Sequence, residues 1–499
     1  MWRDYWLALS FANLVYLRAW ADLLPIDTEF LFHRKTIPGL AQYLGIAADV
    51  LALSLVTLLL IRLAARFPAG LAAWLKGILL LAGAVMVALA LRSIAPAAVR
   101  HSALFGLPVS LGFIAIVAGL VFASQARAIR AAQSILRIAI PAIAVTFGGA
   151  LINLYSQTKL PPDPPLAARQ SGRPAVRVLW IIFDEWDQRL SFSERSPRAR
   201  MPVIDHLISN SFTANHALAV LAGIPVPQMA TVDAVPSLLY GKRLANSNVD
   251  SASIRNIAFS DGTSIVLGQG DSIFARVRAQ GWNAALAGWY LPYCRVFNPQ
   301  LSDCYWDEMF EQWLSARTDF AGAAVDESRQ LFETRMFSIF GPSLVNVRHV
   351  SEFQALRGAA LRYAADPSIG LAFIHLNIPH VPYFYDPKIG RLGHYGYSDD
   401  LYNTALEQLD AITGEILAAV SHAGLDSKTA IILSSDHPYR AAPKDPWVPY
   451  IVHLPGENYG VTYTREFSTI KTATLAMAIA RGEVNSPADV AKTLGLPPR

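Results

Sequence analysis

Charge is the first thing in short supply: Asp, Glu, Lys and Arg make up 16% of the 499 residues, against about a quarter in an average chain. The formal net charge is only +4, and no basic stripe with interleaved aromatics runs through the sequence, which excludes nucleic acid as a partner. Cysteine is scarcer still. Cys294 and Cys304 are the whole complement, inside the stretch YCRVFNPQLSDCYW. In a reducing compartment they read as two unrelated thiols, in an oxidising one as a single disulfide closing a short loop. Membrane topology decides between the two. Also missing is a short apolar core with a small-residue cleavage site, so no cleaved signal peptide is expected.

What replaces charge is hydrophobic surface, 53% of the chain, concentrated before Tyr155. The length calls for more than one domain. Five apolar stretches approach the span of a bilayer: Tyr5 to Leu24, Leu44 to Ile61, Gly77 to Leu91, Ala103 to Ala123 and Ile135 to Tyr155. With the N-terminus in the cytoplasm, the inside loops hold Arg3, Arg62, Arg66, Lys76, Arg127, Arg130 and Arg137; the outside loops hold Arg34, Lys35, Arg92 and Arg100. That excess favours N-in. An odd number of spans then puts everything after Tyr155 outside, in agreement with the disulfide. Asp49, inside the second stretch, is the kind of intramembrane polar residue that marks function. The expected organisation is a transmembrane domain over 1–155, a Pro-rich linker over 156–175 acting as a semi-rigid spacer, and a catalytic domain over 176–499.

The catalytic part opens with Val176 to Phe183, an apolar run of strand length with no helical period, ending in Asp184-Glu185. Carboxylates at the carboxyl end of a buried strand lie where open α/β sheets bind ligands. Taken alone, adjacent acids are more often a solvated loop or a helix cap. A second such strand, Thr429 to Leu433, runs into Asp436-His437. Asp and His are the oxygen and nitrogen ligands of zinc or manganese, and a parallel sheet brings strand exits together.

These pieces, with Met201-Pro-Val-Ile-Asp-His-Leu207 and a segment ending in Leu238-Leu-Tyr-Gly-Lys242, resemble the sulfatase-like branch of the alkaline-phosphatase superfamily over roughly Val176 to Gly456. The resemblance implies an α/β fold, an alkaline-phosphatase-like sheet with helices on both faces, here preceded by an all-α transmembrane bundle. It also implies a nucleophile ten residues before Gly241, which is Thr231. Sulfatases carry Cys or Ser there, in Cys/Ser-x-Pro-x-Arg, as the source of formylglycine. Threonine does not give formylglycine, and the Pro and Arg are absent. Thr231 instead resembles the threonine of membrane-bound phosphoethanolamine and phosphoglycerol transferases, the lipoteichoic-acid-synthase-like proteins. A helix N-cap is the other reading of Thr231 and is compatible with the first, since a nucleophile at a helix N-terminus gains from its partial positive charge.

Further expectations come with the resemblance. One divalent metal, zinc or manganese rather than calcium or magnesium, is held by Asp184, Thr231, Asp436 and His437, with Glu185 as an adjoining ligand or a carboxylate beside the ligands. No histidine has Asp four residues before it, so the second-ion pair of nucleotide pyrophosphatases is absent. The Pro-His-x-Pro element places His380 on the phosphate or as proton donor to the leaving group, while His375 reads as a core histidine. Lys242 is a candidate phosphate ligand or simply an exposed lysine. The implied activity is transfer of a phospho-head group from a phospholipid donor to an envelope lipid or glycan, through phospho-threonine, in a multi-pass inner-membrane protein with a periplasmic catalytic domain. Competing readings are a sulfatase-like phosphodiesterase or sulfuric-ester hydrolase, and a non-catalytic membrane-anchored binding module.

Overall fold

The computed structural model describes residues 2–24, 28–94, 118–119, 123–156, 160–308, 319–332, 344–386, 388, 391–396, 399–441 and 444–496. The chain divides into two compact units, Met1–Ile26 with Thr36–Lys159 and Glu311–Leu344, and Asp27–Lys35 with Leu160–Phe310 and Val345–Arg499.

Among the described residues of the first unit, three helices are long and apolar enough to cross a membrane: Leu40–Ala64, Ala69–Ala88 and Gln125–Tyr155. The 25 residues of Leu40–Ala64 reach about 37 Å at 1.5 Å per residue, enough for a bilayer core. Leu59 is 66% exposed and Ile152 68%, costly in water and suited to hydrocarbon. The expected first span is two shorter helices, Trp2–Val15 and Leu17–Leu23, interrupted at Tyr16. The expected fourth, Ala103 to Ala123, lies almost wholly outside the described residues. Helix Phe320–Phe332 packs on Leu40–Ala64, a contact with no local signal in either segment. Gly45 allows it, since a Cβ there would stand 3.0 Å from the Ala324 nitrogen. Ser328 on this helix lies 2.9 Å from the Tyr16 hydroxyl and hydrogen-bonds Asp49.

The second unit is built on a nine-stranded sheet. Its order is Val461–Tyr463, Phe212–Leu218, Trp447–His453, Thr429–Ser435, Arg177–Asp184, Ile369–Pro379, Asn283–Tyr290 and Asp303–Glu308, with Phe467–Ser468 also on Phe212–Leu218. Only Trp447–His453 runs antiparallel to its neighbours. All eight residues of Arg177–Asp184 are buried, which explains why the run shows no alternation: both faces are covered. Val178, Trp180 and Ile182 share a core with Leu238, Phe274 and Leu475 from helices Thr231–Tyr240, Ile273–Ala279 and Thr472–Ala480. Helix Asp399–His422 packs against Ile369–Pro379. Register does the rest. Phe183 pairs with Ser435 and Asp184 with Pro379, so three strand exits meet at one place.

From Leu160 the Pro-rich run lies along this unit rather than standing free of it. Asn283 accepts from the Gln170 N–H and donates to its carbonyl, both at 2.8 Å, and the Ala167 N–H donates to Leu301 O at 2.8 Å. Residues 28–35 belong here too. Phe32 is fully buried, and the Arg295 guanidinium donates to the carbonyls of Leu31, Phe32, Arg34 and Ala252.

The cysteine segment, expected to be loop, is a short helix Tyr293–Phe297, a 3-10 turn and a strand. Cys294 and Cys304 are disulfide-bonded, with Cα atoms 5.7 Å apart. Unreduced, denatured protein is expected to show no maleimide-reactive thiol, and the double variant Cys294→Ser/Cys304→Ser should lose roughly 2–4 kcal/mol of stability. Two reactive thiols in the exported protein would refute the bridge.

Candidate active site

Asp184, Asp436, His437 and His380 sit at strand exits and Thr231 at a helix start. Asp184 ends Arg177–Asp184, and Glu185 turns the chain with φ 65°, a conformation uncommon for a residue with a side chain and found where the surroundings hold it. Those surroundings are specific: the Glu185 carbonyl accepts from Tyr402 Oη at 2.8 Å, and its carboxylate accepts from Arg440 Nε at 2.5 Å. Ser435 ties the neighbouring exits together, its hydroxyl donating to Phe183 O at 2.6 Å and accepting from the Trp186 N–H at 2.9 Å. Asp436 and His437 follow, both fully buried.

Thr231 is the first residue of helix Thr231–Tyr240, which closes at Gly241 with φ 64°. Ala230 occupies the cap position and no side chain caps the helix. The N-cap reading of Thr231 is therefore wrong. Its hydroxyl donates to Asp436 Oδ2 at 2.7 Å and lies 3.3 Å from Asp184 Oδ2 and 3.4 Å from His437 Nε2. The partial positive charge of the helix N-terminus favours an oxyanion at this position.

Donor atoms of Asp184, Asp436 and His437 all lie within 4.8 Å of one another, one such group among the described residues. Asp184 Oδ1 is buried without a hydrogen-bond partner, an expensive state for a carboxylate oxygen and one that a cation relieves. The residues fit a divalent metal.

Two neighbours were undervalued or missed in the sequence. His375 is buried, but its Nε2 lies 3.6 Å from Asp184 Oδ2 and its Nδ1 2.9 Å from the Tyr293 hydroxyl. Burial and the charges of Asp436 and Asp184 push the Tyr293 phenol well above its ordinary value, so it keeps its proton. His375 Nε2 faces Asp184, placed to orient a carboxylate of the Asp–Asp–His group. Arg440 was not singled out. It follows Asp436 by four residues, on the loop where the sequence shows no histidine, and it bonds both Glu185 and His380. Burial lowers its pKa, but Glu185, Asp184 and Asp436 outweigh this and raise it, so it stays a cation. The proton-donor role expected for His380 meets an obstacle in this contact. Lys242 is not brought to the site: its ammonium is 2.8 Å from Asp261 and 3.2 Å from Thr263 Oγ1, a surface pair with 43% of the lysine side chain exposed.

The sequence pattern of the type I phosphodiesterase / nucleotide pyrophosphatase family matches residues 192–470, more than half of the chain. The chain belongs to that family. It is an enzyme of the alkaline-phosphatase superfamily, of phosphodiesterase kind, and the matched residues include Thr231, His380, Asp436 and His437. Among curated proteins no sequence matches. Solved structures similar to it include an alkaline-phosphatase-superfamily protein from Vibrio parahaemolyticus, 12% identical, with TM-score 0.41 over 69% of this chain and 77% of that one. The phosphonate monoester hydrolase of Agrobacterium radiobacter is 15% identical, with TM-score 0.42 over 65% and 78%. The lipoteichoic acid synthase LtaP from Listeria monocytogenes is 12% identical, with TM-score 0.38 over 66% and 77%. At these values no activity is carried across from any of them.

Proposed function

We propose that this enzyme moves a phospho-head group, of phosphoethanolamine or phosphoglycerol type, from a phospholipid to an envelope lipid or glycan, with Thr231 as the nucleophile. The observation that carries the reading is the Thr231 hydroxyl, seated at a helix N-terminus and donating to Asp436 within a buried Asp–Asp–His group. In the first half-reaction Thr231 Oγ1 attacks phosphorus in line, the bond to the diacylglycerol oxygen breaks, and the Thr231 proton, relayed by Asp436 Oδ2, ends on that departing oxygen. In the second, an acceptor hydroxyl attacks the phospho-threonine, the bond to Thr231 Oγ1 breaks, and the acceptor's proton returns to Thr231. Asp184, Asp436, His437 and Thr231 Oγ1, with Glu185 beside them, would hold a single zinc or manganese ion, which would supply Lewis acidity to lower the hydroxyl pKa and offset phosphoryl charge.

The long apolar helices favour a lipid as donor or acceptor, since a soluble substrate gives no reason for them. Residues 28–35, between the first two apolar stretches, fold within the catalytic unit, which supports placing that loop and the catalytic residues on one side of the membrane. The distribution of basic residues favours the periplasm as that side. Protein in vesicles of phosphatidylethanolamine or phosphatidylglycerol is expected to release diacylglycerol from one of them. A head group released as the free phosphate ester, with every acceptor ignored, would make the enzyme a phosphodiesterase. Cleavage of sulfate esters with no diacylglycerol from either lipid would refute the reading.

A further inference from the structure

Arg440 and His380 together redefine which side chain meets the substrate. Arg440 Nη2 lies 3.0 Å from His380 Nε2, and His380 Nδ1 lies 2.6 Å from Val381 O. A guanidinium has five N–H donors and no acceptor. The contact is a hydrogen bond only if His380 Nε2 accepts, which places the ring hydrogen on Nδ1, facing a carbonyl that only accepts. The ring is thus a neutral tautomer whose inward lone pair is occupied by Arg440, and it has no proton to offer from Nε2. Trp289, edge-on to the imidazole at 5.2 Å between ring centroids, fixes the plane of the ring.

The same contacts aim the guanidinium. Nε is held by Glu185, whose side chain is 5% exposed and whose backbone is fixed by Tyr402, and Nη2 is held by His380. Among the described residues two donors of five are engaged, and the side chain is 33% exposed, which leaves N–H groups for a ligand. Asp184, Glu185 and Asp436 give the site a negative field that an anionic ester must overcome, and a permanent cation beside them does this. Guanidinium also matches the paired oxygens of a phosphoryl group.

Resting on the reaction proposed above, we infer that His380 is a positioning residue, an acceptor that aims Arg440, and that Arg440 is the residue that grips the non-bridging oxygens of the transferred phosphoryl group. The two roles separate in full-length protein assayed on whichever ester the wild type turns over, with inorganic phosphate as a competing anion. His380→Gln keeps an acceptor at the Nε2 position but moves no proton; it is expected to stay within about tenfold of wild-type turnover. His380→Ala should lose about 10²-fold or more. Arg440→Gln should raise KM more than it lowers kcat and weaken phosphate inhibition at least about tenfold, with Arg440→Lys in between. If His380→Gln is as inactive as His380→Ala while phosphate inhibits both as in wild type, His380 is the proton donor and the inference fails. Unchanged phosphate inhibition in Arg440→Lys and Arg440→Gln also overturns it. Failure of the nucleophile assignment looks different: Thr231→Ala would then stay active whatever the Arg440 variants do.

Discussion

Thr231→Ala is expected to cut turnover by at least about 10³-fold while leaving the protein folded and inserted. The size follows from the chemistry: no other group takes over an attack made by an oxygen aligned with the helix N-terminus and the buried carboxylates. Folding should survive because the helix is not capped by this side chain and the lost contacts lie within the site. Thr231→Ser keeps the hydroxyl but loses the methyl group that restricts its rotamer, so it should fall between the two. Thr231 is 4% exposed, too tight a seat for a freely turning serine to be wholly misdirected. With phospholipid donor and no acceptor, peptide mass spectra should find the donor's head group on Thr231. Wild-type turnover in Thr231→Ala would end the covalent mechanism.

Much of this site was legible because its parts lie at predictable places in the chain. Apolar runs without alternation reveal strands buried on both faces, and the residues that follow them lie at the ligand-binding edge of a parallel sheet. Asp184, Asp436 and His437 are readable that way, and Thr231 through the family resemblance, which puts a nucleophile ten residues before the Gly241 turn. Arg440 has no such signature. It lies on an irregular loop, and only the fold shows that Glu185 and His380, 255 and 60 residues away in sequence, receive it. His375 failed for a related reason: a histidine in an apolar strand is usually a satisfied core residue, and nothing local tells that its ring reaches Asp184. The apolar helices announce themselves by composition, but the packing of Phe320–Phe332 on Leu40–Ala64 joins segments nearly 300 residues apart. Its enabling residue, Gly45, looks in sequence like any glycine in an apolar helix.

Removal of the metal is the other change with a large expected effect. Purified full-length protein should carry about one equivalent of zinc or manganese per chain. A chelator should abolish turnover, which either ion restores, and lower the melting temperature, because a ligand present at a hundred times its Kd stabilises the folded state by about 2.7 kcal/mol. Asp184→Asn keeps the shape of the side chain and removes its charge. It should therefore lose most of the bound metal and at least about 10³-fold in turnover, since an amide is a poor ligand beside a carboxylate. His375→Ala makes the contrast. Its Nε2 faces Asp184 at 3.6 Å but stands outside the Asp–Asp–His group, so the loss should be the 10–100-fold typical of an orienting partner, with metal still bound. Two equivalents, both needed for turnover, would show a second ion. Full metal content in Asp184→Asn would mean that the ion is held elsewhere.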